Sequence, residues 1–276
     1  MRSVIWQTAH RTFDLAHRGV VMGILNVTAD SFSDGGQWLD VERAVAHAHS
    51  MAADGAEIID IGGESTRPGA EPVSEAEEMR RVLPVIERLA GDARFVISID
   101  TMKPAVARAA VERGAAIIND VTGLRDPAMR EVVRATGAGA IAMHMQGEPR
   151  TMQRAPHYRD VCADVGEFLR QSLAACLRSG IDPMRLAFDP GIGFGKTVEH
   201  NLALLRNLDS MRAGGRPLVL GVSRKSFLGA EREWTTVALT SHGATRGANV
   251  FRVHDVRPNV EALRMTEAIL HGVVAA

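Results

Sequence analysis

Four polar residues in the sequence each follow a short apolar segment, and their chemistry is complementary. Asp100 ends the segment FVISID, and Asn119 lies near the end of AAIIND. Asp189 follows RLAF, and Lys225 comes shortly after PLVLGVS. Together these side chains offer carboxylate acceptors, an amide and one cation, a set that suits a flat heterocycle with donors and acceptors along its edge. The residues therefore indicate a small-molecule site, provided that the fold brings them together.

A second group of residues suits an anion. Arg252 and His254 lie in the segment NVFRVHD, and Asn26 ends the segment VVMGILN. Arginine, histidine and backbone N–H groups donate to phosphate oxygens. Mg²⁺ prefers oxygen ligands and is held in large part by substrate phosphates, and Asn26 can supply one oxygen to it. This pattern predicts a phosphate or diphosphate beside the heterocycle, together with Mg²⁺.

The stretch DPGIGFGKT looks like a nucleotide phosphate loop, but its spacing argues against one. That loop needs four residues between its first glycine and the Gly-Lys-Ser/Thr end. Counting back from Gly195 places Pro190 at the first glycine, and proline has no N–H to offer a phosphate. We interpret the stretch instead as a loop whose glycines let the backbone turn beside the site. Lys196 is then expected on the surface, where the next helix starts.

The elements that must position these residues alternate along the chain. Eight largely apolar segments are each followed by an amphipathic helical stretch, at 20–26, 56–63, 95–100, 115–120, 139–145, 185–190, 217–223 and 249–255. Such segments are typical of parallel strands that are buried on both faces. Eight strand-helix units predict a single α/β domain, a (β/α)8 TIM barrel with its active site at the C-terminal ends of the strands. A doubly wound open sheet is the alternative.

The bulk properties narrow the class of protein. The chain has 276 residues, a length that suits one barrel domain over 1–276, and its first 17 residues are expected to cover the barrel bottom. A net charge of −1 gives no sign of a nucleic-acid or membrane-surface partner. Cys162 and Cys176 have neither disulfide-framework nor zinc spacing and suit the reducing cytoplasm. No signal peptide or transmembrane segment is expected.

The segments taken together resemble the dihydropteroate synthases, pterin-binding enzymes of folate biosynthesis. The resemblance covers residues 22 to 256 and rests on motifs in the family's order: MGILNVTADSFSDGG, GAEIIDIGGESTRPGA, ISIDT, IIND, MHMQGEPRTMQ, DPGIGFGKT, VSRKSFLG and FRVHDV. It implies condensation of 6-hydroxymethyl-7,8-dihydropterin diphosphate with p-aminobenzoate. The products would be 7,8-dihydropteroate and pyrophosphate, formed by SN1-like loss of the Mg-bound diphosphate. Sulfonamides, which mimic p-aminobenzoate, would compete with it.

The resemblance also assigns roles to residues. The catalytic set around the pterin would be Asp100, Asn119, Asp189, Lys225 and Arg252. The diphosphate would be held by Asn26, Arg67 and His254 together with Mg²⁺, and Asn26 would be the metal ligand. Met143 would pack near the pterin ring. The p-aminobenzoate pocket would be formed by Ser65, Thr66, Arg67, Pro68, Phe32, Phe194 and Ser226. A homodimer is the expected assembly.

Two departures from the family pattern keep alternatives open. Ala29 stands where the family usually has proline, and the segment between strands 7 and 8 is shorter than in many members, which weakens the dimer expectation. A non-catalytic pterin-binding homologue is therefore the main alternative, and a methyltetrahydrofolate methyl-transfer domain is a second. A structural role is also open for His144, Asp60 and Asp120, and Arg224 is expected to form an ion pair away from the site.

Overall fold

Parallel strands and helices alternate along the chain in the computed structural model, which describes residues 4–28, 36–65 and 70–272. Ala29, Phe32, Thr66, Arg67 and Pro68 lie outside these ranges. Two short strands come first, and the eight strands of a second sheet follow. The strands are β1 (Ile5–Gln7), β2 (Thr12–Asp14), β3 (Val20–Asn26), β4 (Ile58–Gly62), β5 (Val96–Asp100), β6 (Ile117–Asp120), β7 (Gly139–Met143), β8 (Leu186–Asp189), β9 (Val219–Leu220) and β10 (Val250–Val253).

One α-helix follows each strand from β3 onward within the described ranges: α1 (Gly36–Ala53), α2 (Glu75–Leu89), α3 (Pro104–Glu112), α4 (Pro127–Thr136), α5 (Val161–Arg178), α6 (Val198–Arg206), α7 (Arg232–Thr245) and α8 (Val256–His271). Local signals set several of the ends. The Ser74 hydroxyl accepts the Glu77 N–H at the start of α2, and Gly137 ends α4 with φ 66°. None of the helices in these ranges is long and apolar enough to cross a bilayer.

The eight strands β3 to β10 form one parallel sheet that closes on itself. Their order is β8-β7-β6-β5-β4-β3-β10-β9. The two end strands meet through a parallel bridge between Phe188 and Leu218, next to a hydrogen bond from the Phe188 N–H to the Pro217 carbonyl at 2.9 Å. The predicted (β/α)8 barrel is confirmed, and the doubly wound alternative is wrong because such a sheet would keep two open edges.

The hairpin of β1 and β2 closes the bottom of the barrel, as expected for the first 17 residues. Trp6 and Phe13 are buried in one cluster with inward residues near the strand starts, among them Ile58 and Val250. The Trp6 indole N–H donates to the Arg185 carbonyl at 3.0 Å. The antiparallel hairpin itself was not predicted, since each of its strands has only three residues.

Toward the C-terminal ends of the strands, the side chains that face the barrel interior become polar. Ile58 is followed on its face by Asp60, Val96 by Ser98 and Asp100, and Ala187 by Asp189. The barrel interior is therefore apolar at the bottom and polar toward the C-terminal ends of the strands. This change of composition places the functional groups at one mouth.

Candidate active site

The polar strand ends converge as the sequence predicts. Asp100 is the last residue of β5 and is paired in register with Asn119 of β6. Asp189 is the last residue of β8 and is paired with Met143 of β7. Parallel strands of a closed barrel end at one rim, so these four side chains line the same mouth.

Arg252 joins strands from opposite parts of the chain inside this mouth. Its Nε donates to Asp60 Oδ2 at 2.6 Å, and its Nη2 donates to Asp100 Oδ2 at 2.7 Å. The Asn119 amide donates to the same Asp60 oxygen at 3.1 Å. Asp60 thus orients both the guanidinium of Arg252 and the amide of Asn119, two groups that reach the mouth.

Asp60 is the residue that the sequence-based prediction undervalued. It is fully buried, and a buried charge is costly unless it is paired. Its signal in the sequence is an ionisable residue at an inward position of an otherwise apolar strand. Within the described residues, Asp60 Oδ1 and its register partner Ser98 Oγ are buried without a hydrogen-bond partner. A barrel optimised for stability alone would keep neither atom.

The two carboxyl groups at the mouth, those of Asp100 and Asp189, have pKa values above the ordinary value for aspartate. Burial raises the pKa of Asp189 to about 6, against the opposing effects of the Gly191 N–H, which donates to it at 2.7 Å, and of Lys225. Burial also raises the pKa of Asp100, and the neighbouring Arg252 opposes the shift. Carboxylates that are expensive to ionise gain most from a ligand that donates hydrogen bonds to them.

Lys225 and Phe194 meet at the side of the mouth next to Asp189. The Lys225 ammonium lies 3.9 Å from the centre of the Phe194 ring, a cation–π contact. Phe194 also packs against an apolar cluster that includes Met143 and Met145. The exposed Ser226 begins a short 3₁₀ turn directly after Lys225. A flat ring bound here would have an apolar wall on one side and charged groups along its edge.

Arg224, next to Lys225 in sequence, points elsewhere. Its guanidinium donates to both carboxylate oxygens of Asp255, at 2.8 and 3.0 Å, and to Glu233 at 3.2 Å. The prediction of an ion pair away from the site is confirmed.

The anion-binding candidates lie on the neighbouring strands β3 and β10. Asn26 ends β3 and is partly exposed, and His254 follows directly after β10. Ser223 Oγ accepts the His254 backbone N–H at 3.1 Å and lies 2.9 Å from His254 Nδ1, which leaves Nε2 as the ring's other hydrogen-bonding atom. Ser65 is partly buried at the edge of the described loop after β4. The remaining predicted site residues, Phe32, Thr66, Arg67 and Pro68, lie outside the described residues.

The donor set fits a metal only in company with a substrate. No group of three or more His, Cys, Asp or Glu side chains in residues 4–28, 36–65 and 70–272 is arranged to hold a metal ion. Asn26 offers one hard oxygen, the kind of ligand that Mg²⁺ accepts beside phosphate oxygens.

Lys196 is not on the surface, so the prediction for it is wrong. It is 3% exposed, and its ammonium lies 2.9 Å from Nδ1 of His144, which is 6% exposed. The glycines before Lys196 have positive φ and turn the loop so that this side chain runs inward. The structural reading of Asp120 agrees with its contacts, because its carboxylate accepts the N–H groups of Thr122 and Leu124 at 2.8 and 3.0 Å.

Comparisons with known proteins agree with this geometry. The sequence pattern of the family described as "Pterin binding enzyme" matches residues 22–254. The dihydropteroate synthase of Escherichia coli strain K12 is 47% identical over 266 residues, which cover 94% of each chain. Two solved structures superpose with a TM-score of 0.90. The Yersinia pestis dihydropteroate synthase in a sulfonamide drug complex is 43% identical, covering 97% of this chain and 99% of that one. The Xanthomonas albilineans dihydropteroate synthase with 4-aminobenzoic acid is 45% identical, covering 98% and 99%.

Proposed function

The chain belongs to the pterin-binding enzyme family, in its dihydropteroate synthase branch, and from this membership we propose how its residues carry out the reaction. The activity is that of a transferase. It joins 6-hydroxymethyl-7,8-dihydropterin diphosphate to p-aminobenzoate and releases 7,8-dihydropteroate and pyrophosphate. The observation that carries the proposal is the convergence of Asp100, Asn119, Asp189 and Lys225 on one mouth with an apolar wall beside it.

The pterin is held by its edge. Asp189 and Asp100 accept hydrogen bonds from the donors of the ring, while Asn119 and Lys225 donate to its acceptors. Met143 and Phe194 pack beside the ring. Arg252, fixed by Asp60 and Asp100, presents its guanidinium toward the ring and the diphosphate. Because this network is already in place, little side-chain entropy is lost when the pterin binds.

The diphosphate is placed beside Asn26 and His254, with Arg67 from the loop after β4. Mg²⁺, when bound, neutralises the negative charge that grows on the leaving group, and Asn26 is the side chain that would ligate it. His254 Nε2, aimed by the contact between Ser223 and Nδ1, donates to a diphosphate oxygen. Cations that lie where charge develops lower the barrier to C–O bond cleavage.

The second substrate supplies the nucleophile that replaces the diphosphate. Its pocket comprises Phe194 and Ser226 together with Phe32, Ser65, Thr66, Arg67 and Pro68. A neutral aniline nitrogen attacks the exposed carbon with its own lone pair, and the new C–N bond replaces the broken C–O bond. The positively charged nitrogen then releases one proton to water or to the departing pyrophosphate, so no strong general base is required. Ser223 is 6% exposed and serves as a hydrogen-bond partner of His254 rather than as a nucleophile. Sulfonamides share the aniline group and compete for this pocket.

The purified protein is expected to form dihydropteroate and pyrophosphate in equal amounts from the two substrates and Mg²⁺. A chelator should prevent formation of both products, and excess Mg²⁺ should restore their formation. Both products should be measured in the same samples, with p-aminobenzoate omitted as a control. Pterin binding without either product would instead support the non-catalytic homologue. Turnover that survives chelation would remove Mg²⁺ from the proposal.

We propose that the protein is a homodimer that buries an apolar face of α7 and α8. Met265 and Ile269 on α8 are 65% and 77% exposed, and they line a groove with residues of α7. A charge at the centre of such a face should prevent association. Light scattering should give a dimer for the wild type and a monomer for Ile269→Glu. Leu202→Glu, at a 47% exposed position on α6, should stay dimeric. A monomeric wild type would refute the assembly.

The domain organisation and location follow as proposals. All 276 residues are assigned to one domain, because the N-terminal hairpin and the barrel share a buried cluster. Both cysteines, Cys162 and Cys176, are free, which suits the cytoplasm.

A further inference from the structure

In the loop at 190–197, here called the glycine-rich loop, four backbone carbonyls accept hydrogen bonds from side chains. The Gly193 carbonyl accepts from Gln153 Nε2 at 2.6 Å, and the Gly195 carbonyl accepts from the Tyr158 hydroxyl at 2.7 Å. The carbonyls of Gly191 and Phe194 both accept from the Lys196 ammonium, at 2.8 and 3.0 Å. The loop is therefore locked from inside by Lys196 and from outside by Gln153 and Tyr158.

Only glycine fits the backbone conformation at three positions of this loop. Gly191, Gly193 and Gly195 have φ of 66°, 84° and 59°. A Cβ on Gly191 would lie 1.8 Å from the His144 carbonyl oxygen, and one on Gly195 would lie 2.8 Å from the Gln146 carbonyl oxygen. The loop consequently packs directly against the backbone that follows β7.

Lys196 is an expensive residue to place here. Its ammonium has three N–H donors, and its three partners are His144 Nδ1 and the carbonyls of Gly191 and Phe194. None of these partners is a carboxylate, and burial lowers the pKa of Lys196 to about 7, with Asp189 opposing this shift and Lys225 adding to it. An apolar side chain of similar length would avoid the cost of burying the charge. A role beyond stability is thus indicated.

The contacts of Phe194 link Lys196 to the mouth of the barrel. Its carbonyl is bound by Lys196, while its ring lies 3.9 Å from the ammonium of Lys225. The first residue of the same loop follows Asp189, whose carboxylate accepts the Gly191 N–H at 2.7 Å. Asp189, Phe194 and Lys225 face the mouth. Lys196 lies behind them and binds the carbonyls of Gly191 and Phe194, two residues of the loop that contacts these groups.

We propose that Lys196 is a positioning residue: by binding the carbonyls of Gly191 and Phe194, it holds the Phe194 ring where Lys225 and the second substrate meet it. The inference rests on the proposed function, because its effect is read in the condensation of pterin diphosphate with p-aminobenzoate. Lys196 itself does not touch the substrates.

The test is a double-mutant cycle between Lys196→Met and Phe194→Leu. Each single variant should lower kcat/KM for p-aminobenzoate by about 30-fold, since the first loses the two hydrogen bonds from the Lys196 amine to the loop carbonyls. If Lys196 acts through Phe194, the double variant should be little worse than Phe194→Leu alone. Tyr158→Phe, which removes a donor from the same loop at Gly195, should change kcat/KM about threefold or less and combine additively with Phe194→Leu.

The outcomes separate the inference from the proposed function. An inactive wild type refutes the proposed function. An active wild type with additive losses, or with a Lys196→Met variant of normal kcat/KM, refutes only the role of Lys196. Thermal unfolding checks that each variant is folded. Lys196→Gln, which keeps two N–H donors, replaces Lys196→Met in the cycle if the latter does not fold, with the same non-additivity expected.

Discussion

Asp189→Asn is expected to weaken binding of the pterin diphosphate about 1,000-fold and to leave the fold intact. In the proposed site the carboxylate accepts from the ring's N–H groups, and each such bond to a charged acceptor contributes about 1.5–3 kcal/mol. Asparagine replaces one acceptor oxygen with an N–H₂ group that faces those donors. The combined loss of about 4 kcal/mol corresponds to the stated factor. Calorimetry with the pterin substrate alone measures it, without p-aminobenzoate turnover.

Pterin binding should depend on pH because it depends on the ionisation of Asp189. The carboxyl has a pKa of about 6, so it takes up a proton as the pH falls through that value. Pterin affinity of the wild type should therefore drop below about pH 6, and Asp189→Asn should lack this step. Since the folded state holds the proton more tightly than the unfolded chain, ionisation destabilises the protein as pH rises. Asp189→Asn should thus not lower the melting temperature at neutral pH.

Asp120→Asn is the matched control for Asp189→Asn. Asp120 is also a buried carboxylate at the end of a barrel strand, but it accepts from Thr122 and Leu124. Its variant should keep pterin affinity within about threefold, in contrast to the result for Asp189, because the Asp120 carboxylate binds protein donors. Unchanged affinity in Asp189→Asn would remove Asp189 from the pterin site.

Lys225→Met is expected to reduce kcat/KM by about three orders of magnitude. Its ammonium lies over the Phe194 ring, and its charge lowers the pKa of Asp189 against the effect of burial. Removing it takes away the proposed charged donor to the pterin edge and leaves the buried Asp189 with less charge compensation, two losses of several kcal/mol together. Steady-state assays with each substrate varied, together with pterin binding, measure the effect.

Arg224→Gln tests whether that loss belongs to the site or to the local charge. Arg224 adjoins Lys225 and carries the same charge, but it is paired with Asp255 and Glu233. Its removal should leave kcat/KM within about threefold, because surface ion pairs contribute little. Near-normal rates in Lys225→Met, or equal losses in both variants, would reject the assigned role of Lys225.

Much of the architecture could be predicted from short segments. Every predicted strand is found within or close to its apolar segment, because a strand buried on both faces needs apolar residues throughout its length. The caps at Ser74 and Gly137 are likewise local, since capping depends on neighbours in the chain. The hairpin of β1 and β2 was missed because three-residue strands carry too short a pattern.

The site divides along the same line. The sequence by itself determined which groups reach the mouth, since Asp100, Asn119 and Asp189 stand at strand ends and parallel strands end at one rim. Only the tertiary structure decided that Asp60 pairs with Arg252, 192 residues away, and that Lys196 turns inward to bind His144. Periodicity reports which face of a strand a residue occupies. The partner across a closed barrel, and the direction of a side chain after a turn of positive-φ glycines, depend on packing between segments distant in the chain.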